Sequence, residues 1–100
     1  MKKVFKFKFD DKEGFLSVVE KDDFFYTLVQ KDTSKVKSIQ ESHTLFIAYD
    51  LKQSVYHEVT CHVSFDKVLI EAVYKQLEEE KNLYFKQLDD TLCVLQIEKE

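Results

Sequence analysis

The twelve residues "KDTSKVKSIQES", Lys31 to Ser42, set two hydroxyls and two ammonium groups, Thr33, Ser34, Lys35 and Lys37, at the head of a short helical pattern. A helix start presents backbone N–H groups without intrahelical partners, together with the positive end of the helix dipole, so a phosphate is well received there. A neighbouring ammonium adds a full charge. The same residues suit a plainer task, because Asp32 or Thr33 can cap the helix and satisfy its first turn unaided. Both roles fit this stretch, and they differ in whether the donors face a ligand or only water.

Other groups capable of chemistry combine less well. His57 and His62 stand an odd number of positions apart in one alternating stretch, so they point to opposite faces and cannot grip one ion without a bulge. His43 falls at a helix–strand junction, where a structural turn is expected, and no metal site is expected. Cys61 and Cys93 lie in apolar alternating segments with no Cys-x-x-Cys spacing, the pattern of buried thiols rather than a zinc or redox site. Glu78, Glu79 and Glu80 fan around a helix end and, with Asp89 and Asp90, read as a solvated surface, not a catalytic carboxylate pair. The sequence has no Ser-His-Asp order, nucleophile elbow, phosphate loop or dinucleotide fingerprint, so any reaction would have to come from a bound cofactor.

These residues need elements to position them. "KVFKFKF" alternates, giving Phe5, Phe7 and Phe9 one face of a strand and Lys6 and Lys8 the other. "DDKEG" predicts a hairpin turn in which Gly14, the chain's one glycine, adopts positive φ. "FLSVV", the turn "EKDD" and the aromatic strand "FFYTLVQ" follow. After the short helix, with its Val36 and Ile39 stripe, "TLFIAYD" is a nearly continuous apolar run, predicting a strand covered on both faces. "SVYHEVTCHVSF" alternates again, with Val59, Cys61 and Val63 on one face. From Asp66 the period becomes helical through Ile70, Val73, Tyr74 and Leu77, and "QLEEEKN" is its solvated end. "LYFKQLDD" and "TLCVLQI" predict a last hairpin with Asp89 and Asp90 at its turn. Consecutive strands with short turns predict a mainly β, α+β fold: an antiparallel split β-barrel with two packed helices.

The chain's 100 residues suit a single domain spanning 1–100, with 44% hydrophobic and 34% charged residues. No apolar run is long enough for a membrane span, and "MKKVFKFKF" interrupts with lysine the apolar core an export signal needs, so a cytoplasmic protein with no membrane partner is expected. The Phe and Lys alternation near the N-terminus offers a stacking platform and charge track for single-stranded nucleic acid. With a net charge of -4 and a pI near 5.4, a core-facing phenylalanine row is expected instead, and no nucleic-acid partner.

The succession "DTSKVKSIQES", "TLFIAYD", "YHEVTCHVSFD" and "KVLIEAVYKQL" resembles, in order and spacing, the FMN-binding split-barrel family of pyridoxamine 5′-phosphate oxidases and small general-stress-type flavoproteins. In that family a strand ends in Thr, an Asp-Ser-Arg-Lys-like segment opens a short helix, and a strand, a turn and a longer strand follow. The likeness covers roughly residues 23 to 77. It implies that Thr33, Ser34 and Lys35, matching the family's Ser, Arg and Lys, hold the FMN phosphate together with backbone N–H groups. It further implies that Tyr26 and Thr27 line the cofactor. This chain departs from the pattern at Ser34, which lacks the forked guanidinium that would grip phosphate bidentately. Val29 also stands where a Thr is usual, and the family's basic residue and Pro after the first hairpin have no counterpart in this chain.

The resemblance thus implies a flavin-dependent oxidoreductase acting on an unknown small molecule, built as a homodimer with FMN between the subunits. A 100-residue chain with 14% aromatics also carries more apolar surface than its own core needs. The missing Arg motivates an alternative: a non-enzymatic split-barrel dimer that has lost the flavin and serves as a binding or interaction module.

Overall fold

The computed structural model describes residues 3–52, 55–83, 85 and 88–99. Its elements run β1 (Lys3–Phe9), β2 (Lys12–Lys21), β3 (Phe24–Gln30), α1 (Ser34–Ser42), β4 (Thr44–Ala48), β5 (His57–Ser64), α2 (Lys67–Glu79) and β6 (Leu92–Glu98). The strands close on themselves in the order β1-β2-β3-β6-β5-β4, every neighbouring pair antiparallel. The class is therefore α+β, mainly β: an antiparallel barrel with two helices, as the strand periodicity predicts. Among the described residues no helix is long and apolar enough to cross a membrane.

Alternation sorts the side chains into two cores. Phe5, Leu16, Val18, Val29, Ile47, Cys61 and Leu95 point into the barrel, where Val36 and Ile39 of α1 join them. Val19, Leu28, Leu92 and Val94 point outward and are covered by Ile70, Val73 and Leu77 of α2. The strand buried on both faces is consequently β6, not β4 as its apolar run suggests. The helices pack on other strands, α1 on β5 and α2 on β2, β3 and β6, and Phe46 of β4 remains 46% exposed.

Both early hairpins turn on an Asp-Asp pair. Phe9 pairs with Lys12 and Lys21 with Phe24, leaving two-residue loops whose first members, Asp10 (φ 52°) and Asp22 (φ 56°), are left-handed. A short polar side chain tolerates that conformation, so the first turn closes before Gly14 is reached. Gly14 instead lies within β2, opposite Phe7, with ordinary φ. Its lack of a side chain answers a steric need, because a Cβ there would come within 2.7 Å of Cε1 and Cζ of Phe7.

Three further expectations are corrected. β5 begins at His57, after a 64% exposed Val55, with Ser54 outside the described residues. In the expected strand "LYFKQLDD", Leu83, Phe85, Leu88 and Asp89 are not in strand, while Tyr84, Lys86 and Gln87 lie outside the described residues. β6 already has β3 and β5 as neighbours, so it has no free edge to offer a hairpin partner, and Leu83 and Phe85 pack on the α2 cluster instead. The turn itself forms, with Asp89 Oδ1 accepting from Thr91 N–H at 2.9 Å. Finally, the solvated end of α2 hides a structural residue. Lys81 (φ 55°) is left-handed and donates to Glu78 O, and Asn82 N–H returns to Leu77 O at 2.9 Å, a Schellman ending. Asn82 is thereby turned inward, 7% exposed, and its Nδ2 donates to Lys3 O (2.9 Å) and Val18 O (3.3 Å).

Candidate functional site

The wall of the barrel is uneven. β2 and β3 are paired only from Val18 opposite Thr27 to Lys21 opposite Phe24, whereas β2 follows β1 back to Lys12 and β3 follows β6 on to Gln30. Gly14–Ser17 and Leu28–Gln30 therefore diverge, and a cleft of about 600 Å³ opens at the seam. Phe7, Phe15, Leu28, Leu77 and Phe85 make its walls largely apolar, and Thr33 and Lys35 from the start of α1 enter it. The cleft follows from strand register and not from any local motif.

Thr33 is the N-cap, extended at φ -124°. Its Oγ1 accepts from Val36 N–H at 3.3 Å and donates to Gln30 O at 3.3 Å. The hydroxyl thus completes the first turn and ties it to the end of β3. Ser34, the first helical residue, is exposed. Lys35 is half-buried, with Nζ 4.2 Å from the centre of the Phe7 ring.

Electrostatically, Lys35 is the unusual member. Burial pulls its ammonium below the ordinary lysine range, with only the thiols of Cys93 and Cys61 acting against that. Those thiols help only when ionised, and burial pushes Cys61 up to about 12 and Cys93 to about 11. At neutral pH both are uncharged. The ring face of Phe7 favours the ammonium by about 0.5–2 kcal/mol, which partly offsets the burial. No carboxylate among the described residues pairs with it. A cation with no counter-ion among the described residues, at a helix start and inside an apolar cleft, is an arrangement that can receive an anion joined to an apolar body.

Tyr26 and Thr27 stand elsewhere. They are adjacent in β3 and so face opposite ways. Tyr26 packs on the α2 side, its hydroxyl accepting from Gln96 Nε2 at 3.2 Å. Thr27 is 1% exposed, and its Oγ1 donates to Ser17 O at 2.6 Å, a link across the last rung before the seam opens. The structure brings Thr33 and Lys35 together in the cleft, and Leu28 and Val29 represent β3 there. Phe7, Gly14, Phe15, Leu77 and Phe85 were not singled out by the sequence as site residues. The one signal that could have found part of this group is a lone glycine within strand periodicity, which marks a close approach.

The remaining reactive groups lie apart. Cys61 and Cys93 are free and buried. His62 Nε2 lies 2.8 Å from Glu98 Oε2, with the His43 ring 5.8 Å away, while His57 stands beside Tyr49. Among the described residues no three His, Cys, Asp or Glu side chains gather as metal ligands do.

Comparison with solved structures finds a crystal structure of a Listeria innocua protein named "Putative Pyridoxamine 5'-phosphate oxidase", at TM-score 0.62 and 11% identity, over 96% of this chain and 81% of that one. The likeness is one of fold. No protein-family model matches the chain, and no curated protein matches it in sequence. At this identity the shared feature is the path of the backbone through nearly the whole chain, not a set of side chains.

Proposed function

We propose that the protein binds FMN at the β2–β3 seam and works as a pyridoxamine 5′-phosphate oxidase-like oxidoreductase on a small molecule. The observation that carries this reading is the Lys35 ammonium, half-buried at the start of α1 with no carboxylate partner among the described residues. Thr33, Ser34 and Lys35 would hold the phosphate, and Phe15, Leu28 and Phe85 would receive the ring system. Thr27, by holding Ser17, would fix the rung at which the seam divides. The flavin, when bound, supplies the hydride chemistry, while the chain supplies charge, orientation and exclusion of water. The fold likeness to the Listeria protein supports this reading through that protein's name.

A homodimer belongs to the same proposal. Phe15 and Phe46 are 68% and 46% exposed, and their partners Lys6 and Lys8 on β1 put them on one outer face. A second copy covering this face would bury both rings and border the cleft through Phe15.

The test is an FMN titration with a visible absorption spectrum of the purified protein. A yellow protein, or one that binds added FMN and loses affinity several-fold in Lys35→Ala, supports the reading. A colourless protein with no titration signal rejects it.

Two observations favour a second reading, a non-enzymatic binding module. Ser34 offers no guanidinium, and the Thr33 hydroxyl is engaged by its own helix. In that case added FMN leaves the melting temperature unchanged, whereas a ligand that binds the native state must raise it.

A further inference from the structure

Lys35 carries an amine as well as a charge. Its Nζ reaches into a cleft walled by Phe15, Leu28, Leu77 and Phe85 and lies over the face of Phe7. Among the described residues, the groups acting on it from the packed elements are the thiols of Cys93 on β6 and Cys61 on β5, both protonated at neutral pH, with no carboxylate among them. An amine partly withdrawn from water, with no carboxylate beside it among the described residues, is in the setting where lysine attacks carbonyl carbon. Two positions on, Lys37 of the same helix is exposed, so the sequence places a half-buried and an exposed lysine close together.

We propose that Lys35 is a carbonyl-capture site, whose Nζ forms an imine with a small aldehyde or ketone seated by its apolar body between Phe15, Leu28 and Phe85. The lone pair of the neutral amine attacks the carbonyl carbon, and the C–N bond forms as the C=O π pair moves to oxygen. Nitrogen releases a proton and oxygen takes one up, giving a carbinolamine. Departure of the hydroxyl with the second nitrogen proton, as water, leaves the C=N bond. Nothing is oxidised or reduced, and no co-reactant is needed. The capture goes beyond the flavin reading and does not rest on it.

The test uses the full chain at neutral pH with limiting benzaldehyde and sodium cyanoborohydride, which reduces the imine to a stable benzylamine. Peptide mass spectrometry then reports the adduct on each lysine. Lys35 is expected to be labelled several-fold faster than Lys37, because burial beside the Phe7 ring favours its neutral amine, and to lose that lead in urea. Equal labelling of the two in the folded protein overturns the proposal, as does a lead that persists after unfolding. Lys35→Arg, which keeps a cation near Phe7, is expected to retain the native circular dichroism and lose the fast adduct. Persistence of the fast phase in that folded variant also overturns it. FMN titration of the same preparation is read separately: labelling of Lys35 without FMN binding rejects only the flavin reading, and FMN binding without preferential labelling rejects only the capture site.

Discussion

Lys35 and Phe7 meet face-on, with the ammonium 4.2 Å from the ring centre, and the ring in turn lies against the Cα of Gly14, where no Cβ intervenes. Three elements, α1, β1 and β2, are thus joined through one column of side chains at the edge of the seam. The column explains how a cation is kept in an apolar cleft, since the ring supplies the favourable surface that a carboxylate would otherwise provide. It also makes the site sensitive to a position with no side chain of its own.

Gly14→Ala is expected to destabilise the fold by about 1–3 kcal/mol, the usual cost of overpacking, because the new Cβ would lie 2.7 Å from two ring carbons of Phe7. Phe7→Leu removes those carbons, so the double variant should be less destabilised than the two single variants added together. Urea denaturation of the four proteins measures the coupling. A Gly14→Ala variant as stable as the parent would show that the ring has room to move.

Thr33 allows helix capping and phosphate binding to be separated. Thr33→Ala removes the acceptor for Val36 N–H and should cost about 1 kcal/mol of stability. Thr33→Asp retains a cap of equal or better quality, so stability should stay within about 0.5 kcal/mol of the parent. Its carboxylate, however, would repel a phosphate at the same helix mouth, and FMN affinity should fall about ten-fold or more. Undiminished FMN binding by the folded Thr33→Asp variant would place the phosphate elsewhere.

The barrel could be read from the sequence because each strand has one face in a closed core, which writes its period into the chain; Val59 and Cys61 in β5 are the clearest case. The helix starts were partly legible for the same kind of reason, a local side chain meeting a local backbone need: Asp32 and Thr33 both suited the first cap and Thr33 takes it, while Asp66, where the helical period begins, caps α2 by accepting from Val68 N–H. Gly14 misled because glycine and aspartate compete for left-handed turn positions, and here two adjacent aspartates settled the turn first. Phe46 misled because an apolar run does not say which strand a helix will cover. The seam was illegible altogether. It depends on β2 and β3 leaving one another after Val18 and Thr27, a matter of long-range register that no window of sequence contains. Alternation did already require Tyr26 and Thr27 to face opposite ways, and the structure puts them on opposite sides of the wall.

Asn82 joins two strands from the end of α2, and its loss should be felt far from any ligand. Asn82→Ala removes the donor to Lys3 O and Val18 O and should cost about 2 kcal/mol, with those carbonyls left short of a partner in a place 7% exposed. Asn82→Asp should be worse at neutral pH, because an ionised carboxylate only accepts and would face two other acceptors. That variant should recover part of its deficit in acid, where a protonated carboxyl can donate to one of them. Thermal melts across that range check the point, and an Asn82→Asp protein as stable as the parent at neutral pH would refute the assigned orientation of the amide.

The alkaline limb of the stability curve separates the thiols from the lysine. The ordinary thiol value is 9.0, while burial raises Cys61 to about 12 and Cys93 to about 11 in the folded chain. Between 9.0 and about 11 the unfolded thiols release protons that the folded ones keep. The native state then binds more protons, and stability falls as pH rises, by up to about 1.4 kcal/mol per pH unit for each thiol. Lys35 has the opposite sign: its folded pKa is depressed, so between that value and the unfolded value near ~10.4 the unfolded chain holds the extra proton and stability rises with pH. Two falling contributions outweigh one rising one, and the parent should lose stability above about pH 9. Replacing both cysteines with alanine should remove most of that loss relative to the parent, whereas Lys35→Met should steepen it between pH 9.0 and the lysine limit. Urea midpoints measured through this range decide the matter: a parent and a double-cysteine variant with parallel profiles would mean that the thiols ionise as freely in the folded barrel as in the open chain.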